Sequence, residues 1–423
     1  MKLYHFDERV KAIERKISEY LSLADKAGTP RYLFDKTEVQ ANVRRFKQAF
    51  IDAGVTPSIF YAVKSNDYQG ILNTVVQEGE GIDVSSDREL GFALKAGAKR
   101  IIYTGPAKTE RDFEKILEHA DKITVNLETF RELTLLGMMA TEAKKKIKCG
   151  LRIITSNQKG WTKFGLPLTE LRAFYDLSKE FPAIQFSGLH FHISFNKDSS
   201  GYVETMKEIA EYLMAHFSDE ERAGFKYLDM GGGFIPESFD GVYPWNPDQM
   251  MWGQDQSEVL SKILSDKYTP RVIPTETESI EGFAKDIAKV FLSDICKAIP
   301  NAELYCEPGR FICHSAMHFL LRLIDIKTPQ IGIVDGGLGM QGWEKFQFIN
   351  YAPIFNLSQF SSTREIPFLI YGSLCLPDDI WGYYLYTADQ PKEGDVLLVP
   401  HQGAYTYTLA QTFIKEIPDV YDL

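Results

Sequence analysis

Cysteine is scarce and follows no pairing pattern. The five residues, Cys149, Cys296, Cys306, Cys313 and Cys375, are odd in number and include no C-x-x-C pair. That excludes a disulfide scaffold and a cysteine-built zinc site, and it fits a reducing, cytoplasmic setting. Long apolar runs are also missing. The best stretch, around Phe319–Ile324, is short and broken by Arg322, so no bilayer-spanning helix is expected. The opening MKLYHFDERV lacks the apolar core of a signal peptide. Positive charge is in deficit, with a formal net charge of −11. This excludes generic binding to nucleic acid or to anionic membranes, which both need neutralising cations. Two motifs are absent as well: no G-x-G-x-x-G follows the first strand, and no H-E-x-x-H is present.

What the chain does hold is an alternation. Strand-like apolar runs recur at 58–64, 81–85, 100–104, 122–126, 148–154, 186–193, 226–230 and 302–306. Helical patterns lie between them, and Thr37 is expected to cap the helix before the first run. Eight strands alternating with helices predict a parallel (β/α)8 TIM-type barrel, with an open doubly wound sheet as the alternative. After about Arg310 the pattern changes to strands separated by Gly/Pro turns, which predicts a C-terminal all-β domain. The expected division is a barrel over 37–313, with an insertion at about 236–279, and a β-domain from 1–36 and 314–423. The insertion is rich in Trp, Pro and acid and too long for an ordinary connection. It reads as a lid or substrate-reading loop, or as a subunit contact.

In such a barrel, chemistry sits at the carboxyl ends of the strands. Lys64 ends the run SIFYAVK, placed either as an ordinary strand-end lysine snorkelling to solvent or as a partly desolvated amine able to act as a nucleophile and form a Schiff base. Gly231, Gly232 and Gly233 in DMGGGF form either an anion-binding nest or a flexible turn. Arg310 in CEPGR offers a phosphate anchor or a surface ion pair. Glu307 suits either a salt bridge or the nitrogen of a pyridine ring, which a carboxylate keeps protonated. His190 and His192 share one side of a strand, placed for a metal, for stacking on a flat cofactor, or for a core hydrogen bond.

Together these segments carry a resemblance. AVKSN, HFHISF, DMGGGF, CEPGR, GSLCLPDD and GAYTYT, in this order, resemble the fold-type III pyridoxal-phosphate decarboxylases. That family includes the ornithine, lysine, arginine, diaminopimelate and carboxynorspermidine decarboxylases, and the match runs from about Pro30 onward. The resemblance implies the alanine-racemase-like barrel decarboxylase fold, pyridoxal 5′-phosphate as cofactor, and no metal. It implies that Lys64 carries the cofactor, that His192 stacks on its ring and that Glu307 pairs with the ring nitrogen. Gly231, Gly232, Gly233, Gly309, Arg310 and Tyr405 would hold the phosphate. Cys375 would return a proton to the substrate carbon, and Asp335 would face a distal amine. Cys375 and Asp379 would come from the partner subunit of a homodimer with shared sites.

Two departures bear on the substrate. Leu376 stands where many relatives carry an acid, and Phe195 where they carry a small serine. The expected substrate is a longer or conjugated amino acid from polyamine, lysine or siderophore-type metabolism, read partly by Tyr243, Trp245 and Trp252 of the insertion. The competing readings are an amino-acid racemase on the same barrel and a non-catalytic decarboxylase-like binding protein. Retention of Lys64, Glu307 and Cys375 together weighs against the latter.

Overall fold

Eight short strands close a parallel barrel: Ser58–Ala62, Gly81–Val84, Ile101–Thr104, Ile123–Leu127, Ile147–Ile154, Ile184–His190, Tyr227–Asp229 and Glu303–Cys306. Each pairs in parallel with its successor, and the last pairs with the first through Tyr305 opposite Ser58. Strands covered on both faces need apolar residues throughout, and Gly81–Val84 and Ile101–Thr104 are buried along their whole length. The eight runs expected from the sequence are the eight strands of the barrel. The intervening helices turn an apolar stripe inward, as Glu110–Glu118 does with Phe113, Ile116 and Leu117. That helix is closed at its start by a capping box between Thr109 and Asp112.

The structure, a computed structural model, describes residues 6–158, 160, 162–238, 240–245, 256–267, 269–342 and 350–423. It divides into two compact units. The barrel unit is Val39–Ile235 with Thr277–Ile312, and the second unit is Met1–Glu38, Pro236–Glu276 and Cys313–Leu423. Among the described residues no helix is long and apolar enough to cross a membrane.

The second unit is built on an eight-stranded mixed sheet. Its longest strand, Met317–Thr328, pairs antiparallel with Arg31–Phe34, which also pairs in parallel with Val420–Asp422. Thr37 does not cap the helix Lys36–Asp52. Asp35 does so, its carboxylate accepting from the Thr37 amide at 2.9 Å, because the acceptor must stand ahead of the first turn.

The segment after Ile235, expected to act as an insertion of the barrel, joins the second unit instead. Gly241–Val242 pairs with Ile273–Pro274 and with Asn350–Tyr351. Tyr243 and Trp245 stack at 4.5 Å and are buried with Tyr351, Tyr383 and Tyr384. The expectation that these two rings read substrate is therefore wrong: rings this large are drawn into a core by the area they bury. Trp252 lies outside the described residues.

Candidate active site

Four neighbouring strands of the barrel deliver the site. Lys64 follows the first strand in a short 3-10 turn, Val63–Ser65. Glu307 follows the eighth, Gly231 the seventh and His192 the sixth. Backbone bonds extend the ladder past the strand ends and fix these positions: Glu307 N donates to Gly231 O at 2.7 Å, and Phe191 N to Asp229 O at 2.9 Å.

The Lys64 amine donates to Asp83 Oδ2 at 2.8 Å. Asp83 sits on the second strand with Ala62 as its register partner, and among the described residues its other oxygen has no hydrogen-bond partner. Burial, then the nearby Glu307, raises its carboxyl to about 7, against the pull of Lys64. Sequence reading missed Asp83. The available signal was an acid inside GIDV, a strand otherwise apolar throughout.

The glycine turn packs tightly against its neighbours. A Cβ on Gly232 would stand 2.3 Å from Glu307 O, and one on Gly233 1.9 Å from Ile193 O. Gly231 and Gly233 also have φ of 68° and 97°. Two of the three amides are engaged within the protein: Gly231 N donates to Asp229 Oδ1 at 3.0 Å and Gly232 N to His192 Nδ1 at 3.2 Å. The anion nest is thus narrower than three glycines suggested. Gly309 packs against the lysine turn, where a Cβ would meet Ser65 Oγ at 2.7 Å. Arg310 begins the following helical turn, its guanidinium 5.9 Å from the ring centre of Phe195.

His192 accepts at Nδ1 from Gly232, so its proton lies on Nε2 and is donated to Ser194 Oγ at 3.2 Å. Burial, then Lys64, holds its pKa well below the ordinary value, and the ring is neutral. His190 is fully buried, 3.5 Å from Glu307 Oε1, and among the described residues neither of its ring nitrogens has a hydrogen-bond partner. His190, His192 and Glu307 bring ligand-type atoms within 4.8 Å of one another. The Nδ1 lone pair of His192 is already committed to Gly232, which argues against a metal there. The buried Asp229 carboxyl accepts from Gly231 N at 3.0 Å and from Asn126 Nδ2 at 3.2 Å, and burial, then Glu307, lifts its pKa well above the carboxylate range.

The remaining expected residues lie in the second unit. Cys375 is exposed, and Leu376 beside it is 40% exposed. Tyr405 holds φ of 55° in a loop pinned by Gln402 N to Met317 O and Gly403 N to His314 O. Asp335 accepts from Arg322 N at 2.9 Å and lines a cavity of about 520 Å³ shared with Arg31, Leu374, Lys415 and Glu416. Asp379 departs from expectation. It is buried, and both carboxylate oxygens accept backbone amides, from Leu338 at 2.7 Å and Leu374 at 2.6 Å. Within the chain these two main-chain donors hold the carboxylate in place.

An amine, a tight glycine turn and a buried acid are gathered on one rim of the barrel, where barrel enzymes carry their chemistry. Comparison with known proteins makes this specific. Residues 36–253 match the family model for the pyridoxal-dependent decarboxylase, pyridoxal binding domain. Diaminopimelate decarboxylase of Bacillus subtilis is 28% identical over 421 residues, 93% of this chain and 86% of that one. The 2-[(L-alanin-3-ylcarbamoyl)methyl]-2-hydroxybutanedioate decarboxylase of Staphylococcus aureus is 24% identical, over 83% of this chain and 84% of that protein. Diaminopimelate decarboxylase of Helicobacter pylori, solved with L-lysine, superposes with a TM-score of 0.76 at 21% identity, covering 96% of this chain and 94% of the other. The chain belongs to the pyridoxal-dependent decarboxylases. It is a pyridoxal-phosphate-dependent carboxy-lyase acting on the α-carboxylate of an amino acid.

The residues present fit that cofactor. The close-packed glycine turn, the basic Arg310 after Gly309 and a half-exposed amine paired with the buried Asp83 suit phosphate and aldehyde, and Glu307 follows the strand between them.

Proposed function

We propose that this decarboxylase acts on an amino acid whose far end is a polar or conjugated group rather than a bare ammonium. Leu376 beside Cys375 cannot pair with a cation, and the relatives include enzymes named for diaminopimelate and for an amide-linked alanine derivative. The mixed charges around Asp335 suit a far end that carries both a donor and an acid.

Lys64 is the residue that would hold the cofactor aldehyde through its amine, and Asp83, which accepts from that amine at 2.8 Å, would orient it. Glu307 would pair with the ring nitrogen of the cofactor and favour its protonated form. His192, neutral and fixed at both ring nitrogens, offers a flat surface for the ring. Arg310, Gly309, Gly233 and Tyr405 hold the phosphate end. Pyridoxal phosphate, when bound, supplies the electron sink that no side chain provides. Cys375 returns the proton to the substrate carbon once carbon dioxide has left, a task for a thiol exposed at a loop. Cys375 comes from the partner of a homodimer, in the cytoplasm, where its five free cysteines stay reduced.

The observation that carries this reading is the Lys64–Asp83 pair at the barrel rim, one strand from Glu307. The test is carbon dioxide release from meso-diaminopimelate, lysine, ornithine and an amide-linked diaminopropionate. The first and last should be preferred; a preference for ornithine would reject the substrate class. Lys64→Ala should be colourless and inactive.

A further inference from the structure

We propose that Asp379 is a positioning residue that locks the loop carrying Cys375 to the loop carrying Asp335. The inference rests on the reading of Cys375 given above. Asp379 is 1% exposed, and its two oxygens divide between the loops: Oδ1 takes the amide of Leu338, and Oδ2 takes the amide of Leu374. The main chain of the same residue closes the turn around the thiol. Gly372 N donates to Asp379 O at 2.6 Å, and Asp379 N donates to Leu376 O at 3.2 Å.

A second tie runs alongside. Ser373 N donates to Gly336 O at 3.2 Å, and Ser373 Oγ donates to Asp335 O at 2.7 Å. The space admits nothing larger than glycine on either side. A Cβ on Gly372 would stand 2.3 Å from Asp379 Oδ2, and one on Gly337 2.4 Å from Leu374 Cγ. Trp381 Nε1 holds Gly336 O from the next strand at 3.0 Å. A buried carboxylate bridging two amides makes charge-assisted bonds, and removing it strands two buried donors. Asparagine at this position can accept only one amide, and its own NH2 must face the other donor. The loop carrying the proton-returning thiol and the loop carrying Asp335 are thereby held to each other within one chain, each fixed for the site it serves.

The experiment uses full-length holoenzyme with Asp379→Asn and Asp379→Ala, followed by hydrogen exchange over 336–340 and 372–376 and by kcat and KM. Exchange should quicken at least tenfold in both segments, less for Asn than for Ala. The same variants should lower kcat about tenfold or more and leave KM within about twofold. A rise in KM with exchange unchanged would overturn the proposal and return Asp379 to the substrate. Quickening confined to 372–376 would overturn it too, since the two loops would then be held independently. Should both variants fail to fold, Ser373→Ala removes only the side tie and should quicken exchange in both segments to a smaller degree. Full activity in Cys375→Ser would overturn the role given to the thiol, and exchange would still decide for or against the tie.

Discussion

Lys64 was legible because an amine ending a run of buried strand residues has few ordinary uses there, and the ring of polar residues on the other strand ends supplied the context. Asp83 was not legible: a four-residue strand gives no alternation from which to tell that position 83 faces inward. Its chemistry makes a testable claim. Burial raises its folded pKa above the unfolded 3.8, so its contribution to stability is complete below that value and fades as pH rises through about 7. Cofactor-free Asp83→Asn should therefore melt higher than wild type at pH 9, with the gap closing toward pH 5. His318 has the opposite sign. Burial lowers it from 6.5 to about 4, and its Nδ1 accepts the His401 amide at 3.0 Å, which a protonated ring cannot do. Its stabilisation is full above 6.5 and is lost as pH falls through 4, at about 3 kcal/mol in all. Acid denaturation monitored by fluorescence should show a shallower decline between pH 6.5 and 4 in His318→Gln.

At the level of elements, the barrel strands could be read because burial on both faces leaves an unbroken apolar run, a pattern that survives without tertiary information. The strand Ile380–Tyr386 escaped, since IWGYYLY follows a Pro-Asp-Asp turn and carries a glycine. The aromatic insertion misled for a related reason: Tyr243 and Trp245 announce burial, and sequence does not say in which core. The glycine turn offers the sharper prediction. Gly232 has no positive φ, so alanine there is opposed by space alone, through its approach to Glu307 O. Gly232→Ala should weaken pyridoxal phosphate binding at least tenfold in a spectroscopic titration while the far-ultraviolet circular dichroism stays that of the wild type.

For the whole molecule, the shared-site proposal has a numerical consequence. Mixing inactive Lys64→Ala with inactive Cys375→Ala under subunit exchange should restore about a quarter of wild-type activity, from the statistical share of heterodimers with one intact site. No recovery with heterodimers present would place both residues of a site on one chain. Sequence could suggest this sharing only through resemblance, because no single-chain pattern records which copy a loop serves.

The second unit is stitched from three separated lengths of chain, and Tyr32 donates its hydroxyl proton to Met340 O across 308 residues. A ribosome adding ~5–20 residues per second needs roughly 15–60 s to cover that interval. For most of it the strand Arg31–Phe34 has neither of its neighbours, Met317–Thr328 and Val420–Asp422, to pair with. The barrel unit, whose last segment ends at Ile312, can complete itself before Arg31–Phe34 gains either strand partner.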